Sequence, residues 1–474
     1  MGFQSDRDKV AHLLRRFGFG ASEAELDYYA KDGLKGAIDK LLSPEDVEET
    51  ALPPISAFKN DKGNLKLETV QAYWLLRLIT TRRPLQEKMT IFWHDHFATS
   101  ASKVTQVPMI YQHVETLRKG ALGSFQELLT SISKDPGMIF WLDNQENVKG
   151  KPNENFAREV MELFTLGIGH YSEKDVQEAA RAFTGWAYRR GRRPAQGEAT
   201  DELRGPDYLF NPRLYDDGEK TVLGKTGSFT GEDVLQQLAN HPQTALHLAT
   251  KLWTFFVYAN PEKAVVERIA TTFVRNGLQI KPMLRAIMES PEFYSPKAVR
   301  AIIKTPVDFV VATMRQLGMG AATSAAIERD QATAVQKMRG TVGAVRQATK
   351  AMGMDLMYPP DVAGWEWGPA WITSATMVER IAWADRLFGQ VQAGTRRAQI
   401  NLQLSQLMTI SADPSEFVGD LLSVFDANLP AGKRPTLDKA AMEASQGEVT
   451  ARNANLVASR VCRLIFGAPE FQFA

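Results

Sequence analysis

The chain has 474 residues, which is more than a single hydrophobic core usually organises, so we expect one large domain with insertions or two subdomains. Hydrophobic residues make up 44% and charged residues 23% of the sequence, which excludes a fibrous or extensively disordered chain. The 56 Lys and Arg residues nearly balance the 55 Asp and Glu residues, so we expect no nucleic-acid partner.

The single cysteine, Cys462, excludes an intramolecular disulfide framework and any metal site built on paired cysteines. The segment Met1–Arg16 lacks the apolar core of a signal peptide, and no stretch reaches the roughly 18 apolar residues of a membrane span. We therefore expect no membrane span and, by default, a cytoplasmic protein. If a leader has been removed, the location is extracytoplasmic instead.

Apolar residues recur at helical spacing through most of the chain, and they predict a mainly α fold with a large multi-helix body. The clearest helical segments are Val10–Phe17, Leu67–Ile79, Leu85–Phe97, Phe156–Leu166, Ala245–Val257 and Val307–Leu317. Pro84 is expected in the first turn of its helix, where a missing N–H costs nothing. Gly167 and Gly169 are expected to cap the end of the helix that begins near Phe156.

The segment 188–231 differs from the rest of the chain, because it is rich in Arg, Gly, Asp and Pro. Two short β-type runs, Tyr208–Phe210 and Thr221–Leu223, flank the turn sequence Asp216-Asp217-Gly218. We therefore predict an inserted loop that carries a small β-hairpin. Long ordered loops are uncommon in compact domains and tend to be functional, so this loop is expected to overhang a site.

Five sequence blocks together resemble one family. They are His12–Gly20 (HLLRRFGFG), Phe92–Thr99 (FWHDHFAT), Trp141–Gly167 with the run PNENFAREVMELFTLG, Ala182–Trp186 (AFTGW) and Pro359–Trp365 (PPDVAGW). Because the blocks agree in order over nearly the full length, the chain resembles the bacterial family catalogued as domain of unknown function 1800. The resemblance implies that residues 1–474 form one helical unit, or two helical subdomains.

What the resemblance implies about function is limited to associations. Members are often exported and often encoded beside a family similar to alkaline phosphatases and sulfatases, which suggests a phosphatase- or sulfatase-like partner protein and work on the envelope or on polysaccharide. The chain departs from the family pattern in showing no leader and in having Tyr215 before Asp216, where members commonly place His. The first departure weakens the expectation of export, and the second removes a histidine ligand from that loop.

A helix over Glu154–Leu166 places four polar residues on one face: Asn155, Arg158, Glu159 and Glu162. Two carboxylates one turn apart can divide acid and base roles, or can share a cation. Equally, the face can be a solvated surface on which Arg158 pairs with Glu154 and Glu162, four residues before and after it. The spacing is compatible with both interpretations.

Two histidines end the helix that begins near Pro84, and helical spacing points them apart. His96 falls within an apolar stripe, so we predict a buried, hydrogen-bonded and non-catalytic histidine. His94 falls on the polar side, from which it or Asp95 could meet the helix that carries Glu159. An i, i+2 pair on a regular helix cannot chelate one metal ion, so no metal site is predicted here.

Trp365, Trp367 and Trp371 are typical of a loop that presents aromatic faces to sugar rings, although each tryptophan can equally cover the core. In the inserted loop, a group of three arginines is a candidate anion contact or a solvated charge run: Arg190, Arg192 and Arg193. The sequence has no P-loop, GxSxG elbow, HExxH motif or dinucleotide fingerprint. The common cofactor and nucleophile classes therefore lose support, and the identity of any cofactor stays open.

The sequence supports two hypotheses of function. In the first, the chain is an enzyme, a hydrolase or lyase acting on a glycan or other polar polymer, with Glu159 and Glu162 as acid and base. Its substrate is positioned by further polar and aromatic residues: His94, Asn155, Arg158, Trp365 and Trp367. In the second, the chain is a non-catalytic binding or assembly protein in which the same residues form a structural polar network. A deep cleft around both glutamates favours the first hypothesis, and a flat, salt-bridged surface favours the second.

Overall fold

The computed structural model describes residues 3, 5–59, 63–189, 203, 205–390 and 398–474 of the chain. These residues form twenty-one α-helices and two small sheets of two strands each. The prediction of a mainly α fold with a small β excursion is therefore confirmed.

The helices fall into two groups along the chain, separated by the β excursion. Ten helices precede it: α1 Asp6–Phe17, α2 Glu23–Ala30, α3 Gly33–Leu42, α4 Leu67–Thr80, α5 Pro84–His96, α6 Val107–Gly120, α7 Phe125–Ser133, α8 Pro136–Trp141, α9 Asn155–Glu162 and α10 Glu173–Ala182. Eleven follow it: α11 Gly231–Ala239, α12 Pro242–Phe256, α13 Lys263–Arg275, α14 Ile280–Met288, α15 Pro306–Gln316, α16 Met319–Arg329, α17 Gln331–Ala351, α18 Ser374–Phe388, α19 Pro414–Val424, α20 Arg434–Ser445 and α21 Ala454–Gly467. Within the described ranges, no helix has the length and apolar character needed to cross a membrane.

Many helices begin at a side-chain cap, because the first backbone N–H groups of a helix have no partner within it. Ser5, Ser172 and Thr305 each accept a hydrogen bond from the backbone N–H three residues on, and the acidic side chain at that position bonds back to the cap residue. Pro84 lies in the first turn of α5, as predicted. The starts of α4, α5, α9 and α15 lie within one residue of the predicted segments, whereas α1 and α12 begin four and three residues earlier than predicted.

The helix α9 is shorter than the sequence predicts, since it ends at Glu162, four residues early. The carbonyl oxygen of Glu159 accepts hydrogen bonds from the N–H groups of Leu163 and of the next residue, at 2.9 and 3.1 Å, which widens the last turn. Gly167 and Gly169 follow with positive φ angles of 81° and 85°. These glycines shape the turn after the helix, whereas Leu163 is the residue at its C-cap.

The β excursion contains two antiparallel strand pairs where the sequence predicts one hairpin. β1 (Trp186–Arg189) pairs with β2 (Asp207–Phe210), and β3 (Lys220–Val222) pairs with β4 (Lys225–Gly227). The predicted pairing of residues 208–210 with residues 221–223 is therefore wrong. Residues 211–219 connect the two sheets without forming a continuous helix, so the predicted departure from the helical body is confirmed.

The turn between β3 and β4 explains why the second pair forms locally. Leu223 and Gly224 have positive φ angles of 51° and 74°. Two successive positive φ angles are typical of the type I′ turn, whose twist matches that of antiparallel strands. The pairing partner of β3 is therefore the segment immediately after it, and β2 is left to pair with β1.

The apolar interior consists of two clusters of buried side chains. The first cluster is built mainly from α1, α3 and α7–α14, and the second mainly from α4 and α15–α21. α5 contributes to both, since Met89 and Phe92 belong to the first cluster and Ile91 to the second. α5 therefore lies between the two cores, and its polar side chains are buried with its apolar ones.

Candidate functional site

The candidate acidic residues lie on the amphipathic helix α9. The apolar side of this helix is buried, and it consists of Phe156, Ala157, Val160 and Met161. The other side carries half-buried polar residues: Arg158, Glu159 and Glu162. The helical spacing therefore places these polar residues together, as the sequence predicts.

Two histidines hold the C-terminal end of α9, where the last carbonyl groups have no partner within the helix. His96 Nε2 lies 3.1 Å from the carbonyl oxygen of Phe164, and His247 Nε2 lies 3.2 Å from that of Leu163. Burial lowers the pKa of both imidazoles, to about 4 for His247, so both are neutral at neutral pH. His96 is 1% exposed, which confirms the prediction that it is buried and hydrogen-bonded.

Asp95, near the end of α5, anchors the loop of residues 359–367. One of its carboxylate oxygens accepts a hydrogen bond from the Trp365 backbone N–H at 2.8 Å, and the other from the Trp367 indole N–H at 2.6 Å. Gly364 fits this contact only as glycine, because its φ is +89° and an added Cβ would lie 2.3 Å from an Asp95 oxygen. Two of the sequence blocks that carry the family resemblance therefore meet here.

Asp95 and Lys251 lie close enough for the charge of each to act on the pKa of the other. Asp95 is 7% exposed. Burial raises the pKa of its carboxyl to about 6, although its hydrogen bonds and the Lys251 charge oppose the shift. Lys251 lies on α12 four residues after His247, so the two side chains share a face. Burial lowers the pKa of the Lys251 ammonium, and the Asp95 charge opposes that shift.

Glu159 is a half-buried carboxylate without a hydrogen-bond or ion-pair partner among the residues that the structure describes. Burial raises its pKa; the charges of Glu162 and Asp361 act in the same direction, and Arg158 opposes them. The Asp361 charge also raises the pKa of Asp95. The charge of Asp361 therefore acts on a carboxyl of α9 and on a carboxyl of α5.

The other charged residues on this face of α9 are paired. The Tyr171 hydroxyl donates a hydrogen bond to the Glu162 carboxylate. Arg158 donates to both carboxylate oxygens of Glu173, at 2.8 and 2.7 Å, and to Glu154 at 3.3 Å. The predicted pair of Arg158 with Glu154 is therefore present, whereas Glu173 takes the place predicted for Glu162.

Asn155 belongs to a ladder of asparagines that fixes the chain before α9. Its side-chain amide donates to the Leu142 carbonyl oxygen at 3.2 Å, and its backbone N–H donates to the Asn153 side chain at 3.0 Å. The Asn153 backbone N–H donates to the Asn147 side chain at 2.9 Å, and Asn147 in turn donates to the Ala180 carbonyl oxygen at 2.8 Å. These bonds give Asn155 a structural role, and a substrate contact for it stays a prediction.

His94 is buried, so its predicted place on a polar side of α5 is wrong. It is 1% exposed, its Nε2 accepts a hydrogen bond from the Met357 backbone N–H at 3.1 Å, and its ring lies 5.5 Å from that of Trp365. Burial and the neighbouring His113 lower its pKa to about 3. Glu87, its polar neighbour on the helix, is also only 1% exposed, because α5 lies between the two cores.

Two of the three candidate tryptophans cover the core. Trp365 is 7% exposed and Trp371 is 4% exposed. Trp367 is half-buried, and its ring packs edge-on against Phe255 with the centroids 4.9 Å apart. Of the three, Trp367 alone keeps part of an aromatic face at the surface. The arginines predicted as an anion contact lie outside the described residues: Arg190, Arg192 and Arg193.

The sequence analysis missed three residues of this site: His247, Lys251 and Asp361. His247 and Lys251 are polar residues four apart in a helix that was predicted from its apolar spacing, so a face analysis of that helix could have paired them. Asp361 stands in a block that carries the family resemblance. Its proximity to Glu159 depends on how the loop of residues 359–367 folds back, for which spacing carries no signal.

The polar face of α9 lies outside five cavities found in the described part of the chain. The largest of five cavities, with volumes of 760 and 540 Å³, lie against α1 and α2, and Glu159 lines none of the five. In the part of the chain that the structure describes, no three His, Cys, Asp or Glu side chains converge as metal ligands. Carboxyl and ammonium groups of shifted pKa can exchange protons with a bound molecule.

Comparison with known proteins gives one finding. The family model described as "Protein of unknown function (DUF1800)" matches residues 12–473 of this chain. Neither the curated proteins nor the solved structures contain a match.

Proposed function

The chain belongs to the DUF1800 family, and we propose that it is an enzyme, a hydrolase or lyase that acts on a glycan or another polar polymer. Glu159 is the proposed acid and Glu162 the proposed base. The observation that carries the proposal is the unpaired, half-buried Glu159 carboxylate, whose pKa is raised in a site that also holds Asp95, Lys251 and Asp361.

A general acid must hold its proton near neutral pH and release it to the substrate during the reaction. Burial and the charges of Glu162 and Asp361 raise the pKa of Glu159 and so favour its protonated form. The Glu159 carboxyl has no hydrogen-bond or ion-pair partner among the described residues, so no protein group competes with a leaving-group oxygen for it. By contrast, the carboxylate of Glu173 on α10 is held by Arg158.

Glu162 has a different environment, because it accepts a hydrogen bond from the Tyr171 hydroxyl. Neighbouring carboxyls in different environments can divide acid and base roles. In the proposed reaction, Glu162 takes a proton from water in a hydrolase, or from a substrate carbon in a lyase. Glu159 gives its proton to the leaving oxygen, so that the proton count balances.

The proposal of a polymer as substrate rests on the surroundings of the carboxyls, which include an aromatic side chain and, in the described part of the chain, no small-molecule cavity. Sites for small molecules enclose their ligand in cavities of roughly 300–1,000 Å³, whereas Glu159 lines none of the five cavities. The half-buried Trp367, whose indole N–H donates to Asp95, offers an aromatic face beside the carboxyls. Such a face can stack on a sugar ring.

The test of the proposed function compares Glu→Gln substitutions at two positions of α9, Glu159 in its C-terminal half and Glu154 at its N-cap. The protein is screened against polysaccharides for new reducing ends and for the ultraviolet absorbance of unsaturated sugars. Glu159→Gln should lower the rate by about 10²–10⁴-fold, the usual contribution of a general acid. Its melting temperature should stay unchanged or rise, because burial disfavours the charged form that the variant removes.

Glu154→Gln is the matched control, because Glu154 is paired with Arg158 on the same face and has no proposed role in proton transfer. This variant should keep the wild-type rate. Equal rates for wild type and Glu159→Gln, or early unfolding of that variant, would show that Glu159 is not the acid.

A second candidate function is a non-catalytic binding or assembly protein. Two observations favour it: Glu159 and Glu162 line none of the five cavities, and the asparagine ladder and the Arg158–Glu173 pair are bonded internally. A salt-bridged surface without a cleft is what this function predicts. This alternative predicts that Arg158→Met lowers the melting temperature and that Glu159→Gln changes neither turnover nor binding. A pull-down from an extract with wild type and Glu159→Gln, run beside the glycan screen, separates the two functions.

A further inference from the structure

A cavity of about 340 Å³ lies between α4, the start of α5 and the end of α6, and we call it the Arg83 pocket. Its charged lining consists of four cations and two carboxylates: Arg77, Arg83, Arg118, Lys119, Glu49 and Glu87. The helix α9, which is described in full, contributes no residue to this lining. The Arg83 pocket is therefore separate from the candidate acid and base.

The excess of cations distinguishes the Arg83 pocket from the other four cavities found in the described part of the chain. In the three larger cavities, of about 760, 540 and 510 Å³, the lining carboxylates outnumber the cations. In the cavity of about 20 Å³ the two are equal in number. A cleft lined mainly by positive charge attracts anions, so the lining of the Arg83 pocket favours an anionic ligand.

Two of the four cations are held by carboxylates. Arg118 donates hydrogen bonds to both oxygens of Glu87, at 2.6 and 3.2 Å, and another to Glu115. Arg77 lies 3.4 Å from the same Glu115 carboxylate. Although burial opposes the shift, the charges of Arg118 and Arg77 lower the pKa of Glu87. When Glu115, which stands behind the lining, is counted as well, four cations still face three carboxylates.

The other two cations have no carboxylate partner among the described residues. The Arg83 guanidinium donates from Nε and Nη2 to a single backbone acceptor, the Val47 carbonyl oxygen, at 2.9 and 2.7 Å. Lys119 is exposed, and its ammonium forms no hydrogen bond or ion pair within the described ranges. Both charges are therefore available to a ligand.

The remaining carboxylate of the lining, Glu49, does not neutralise these two cations. Its oxygens accept hydrogen bonds from neutral donors, namely the backbone N–H groups of Thr50 and Arg82 and the hydroxyl of Thr81. In the described structure it forms no ion pair. The excess positive charge of the Arg83 pocket is therefore not offset within the protein.

Unused N–H groups also face this ligand. A guanidinium has five N–H donors, and Arg83 uses two of them on Val47, so three remain. Arg83 is the N-cap residue of α5, no side chain caps this helix, and Gln86 in its first turn lines the pocket. The positive end of a helix dipole adds to the attraction of an anion.

We propose that the Arg83 pocket binds a small oxyanion, the phosphate or carboxylate group of a metabolite. The oxyanion accepts hydrogen bonds from the Arg83 guanidinium and from the Lys119 ammonium. Guanidinium groups match oxyanions in geometry and in charge. The volume of about 340 Å³ lies at the lower end of the roughly 300–1,000 Å³ of small-molecule sites, so the metabolite is small.

The test uses equilibrium dialysis of the full chain with radiolabelled inorganic phosphate and, separately, with radiolabelled acetate, at constant ionic strength in chloride. A saturable site with one anion bound per chain is expected. Binding of phosphate alone assigns the pocket to phosphate groups, binding of acetate alone assigns it to carboxylates, and binding of both assigns it to oxyanions in general. If neither anion binds in a saturable way, the Arg83 pocket is not an oxyanion site.

Two substitutions locate the bound anion. Arg83→Gln and Lys119→Gln should each weaken its binding by about 10–100-fold, the effect of losing a hydrogen bond to a charged group. Lys119 is exposed and has no protein partner in the described structure, so Lys119→Gln remains informative even if Arg83→Gln does not fold. An unchanged affinity in Lys119→Gln would overturn the proposal.

Arg82→Gln is the matched control. Arg82 precedes Arg83 in the chain, and it is exposed, lies 3.8 Å from Glu328 and lines the cavity of about 540 Å³ instead. This variant removes the same charge from the neighbouring position and should keep the wild-type affinity. If Arg82→Gln weakens binding as much as Arg83→Gln does, the anion responds to net charge alone and the assigned pocket is wrong.

Discussion

Gly364 is the single residue at which one added methyl group should matter most to the candidate site. Its φ of +89° is unfavourable for any other residue, and a Cβ there would lie 2.3 Å from the Asp95 carboxylate. We expect Gly364→Ala to destabilise the protein by about 1–3 kcal/mol, the usual range for one strained backbone position. Urea denaturation measures this loss.

Gly343→Ala is the control for that prediction. Gly343 lies inside α17 and has open space around an added Cβ. Alanine there should stabilise the protein by roughly 0.5–1 kcal/mol, because glycine is a poor helix former. Changes of the same sign in the two variants would contradict the role assigned to Gly364.

The contribution of Asp95 to the stability of the protein decreases as the pH rises, which is the reverse of the usual behaviour of a carboxylate. Its folded pKa of about 6 is above the ordinary value of 3.8, so the folded state holds this proton more tightly than the unfolded chain. Stability contributed by the protonated form is therefore lost as the pH rises from about 4 to about 6. We expect the stability of wild type relative to Asp95→Asn to fall across this window and to level off above it, in urea denaturation at a series of pH values.

Asp216 supplies a comparison of opposite sign. Its hydrogen bond with Arg181 lowers its pKa below 3.8. The stability advantage of wild type over Asp216→Asn should therefore be complete at neutral pH, and it should disappear as the pH falls below 3.8. The stability difference between wild type and Asp95→Asn should change with pH in the opposite direction to that between wild type and Asp216→Asn. A change in the same direction would show that Asp95 is ionised in the folded protein at acidic pH.

At the scale of elements, the end of α9 depends on an imidazole from α12. His247 Nε2 bonds to the carbonyl oxygen of Leu163, which has no partner within α9. We expect His247→Leu to cost about 1–3 kcal/mol, because it leaves that carbonyl without a donor. Hydrogen exchange should report faster opening of α9 in the variant.

The exposed His170 is the control residue for this element. His170→Leu removes an imidazole from the same region without uncapping α9, so its denaturation midpoint should stay near that of wild type. If both variants lose the same stability, the effect arises from added surface hydrophobicity and the capping role of His247 is wrong.

The elements also show where sequence reasoning succeeds and where it stops. Helix starts such as Pro84 were predicted, because capping and proline signals act within one turn. The partner of β2 was not predicted, because strand pairing joins distant segments and Trp186–Arg189 gives no local sign of where it pairs. His96 was placed correctly and His94 was not, since a helix between two cores has no solvent side for its polar spacing to indicate.

At the scale of the whole molecule, the mainly α fold followed from apolar periodicity, whereas the site required the tertiary structure. Glu159 and Glu162 were predicted from one helix face. Asp361 and Lys251 come from a loop and a helix far along the chain, and their charges act on Asp95 only once both cores have formed. The site therefore forms only when distant elements pack together, and a single sequence gives little direct information about that packing.

The hydrogen bond between Asp95 and Trp365 has a consequence for biosynthesis, because it joins residues 270 positions apart. Ribosomes add about 5–20 residues per second, so Asp95 is made on the order of tens of seconds before its partner. During that interval α5 must remain hydrated on the side that the loop of residues 359–367 later covers. A chain released before that loop is made lacks Asp361 and both residues that bond to Asp95, so the candidate site is complete only after translation reaches the last quarter of the sequence.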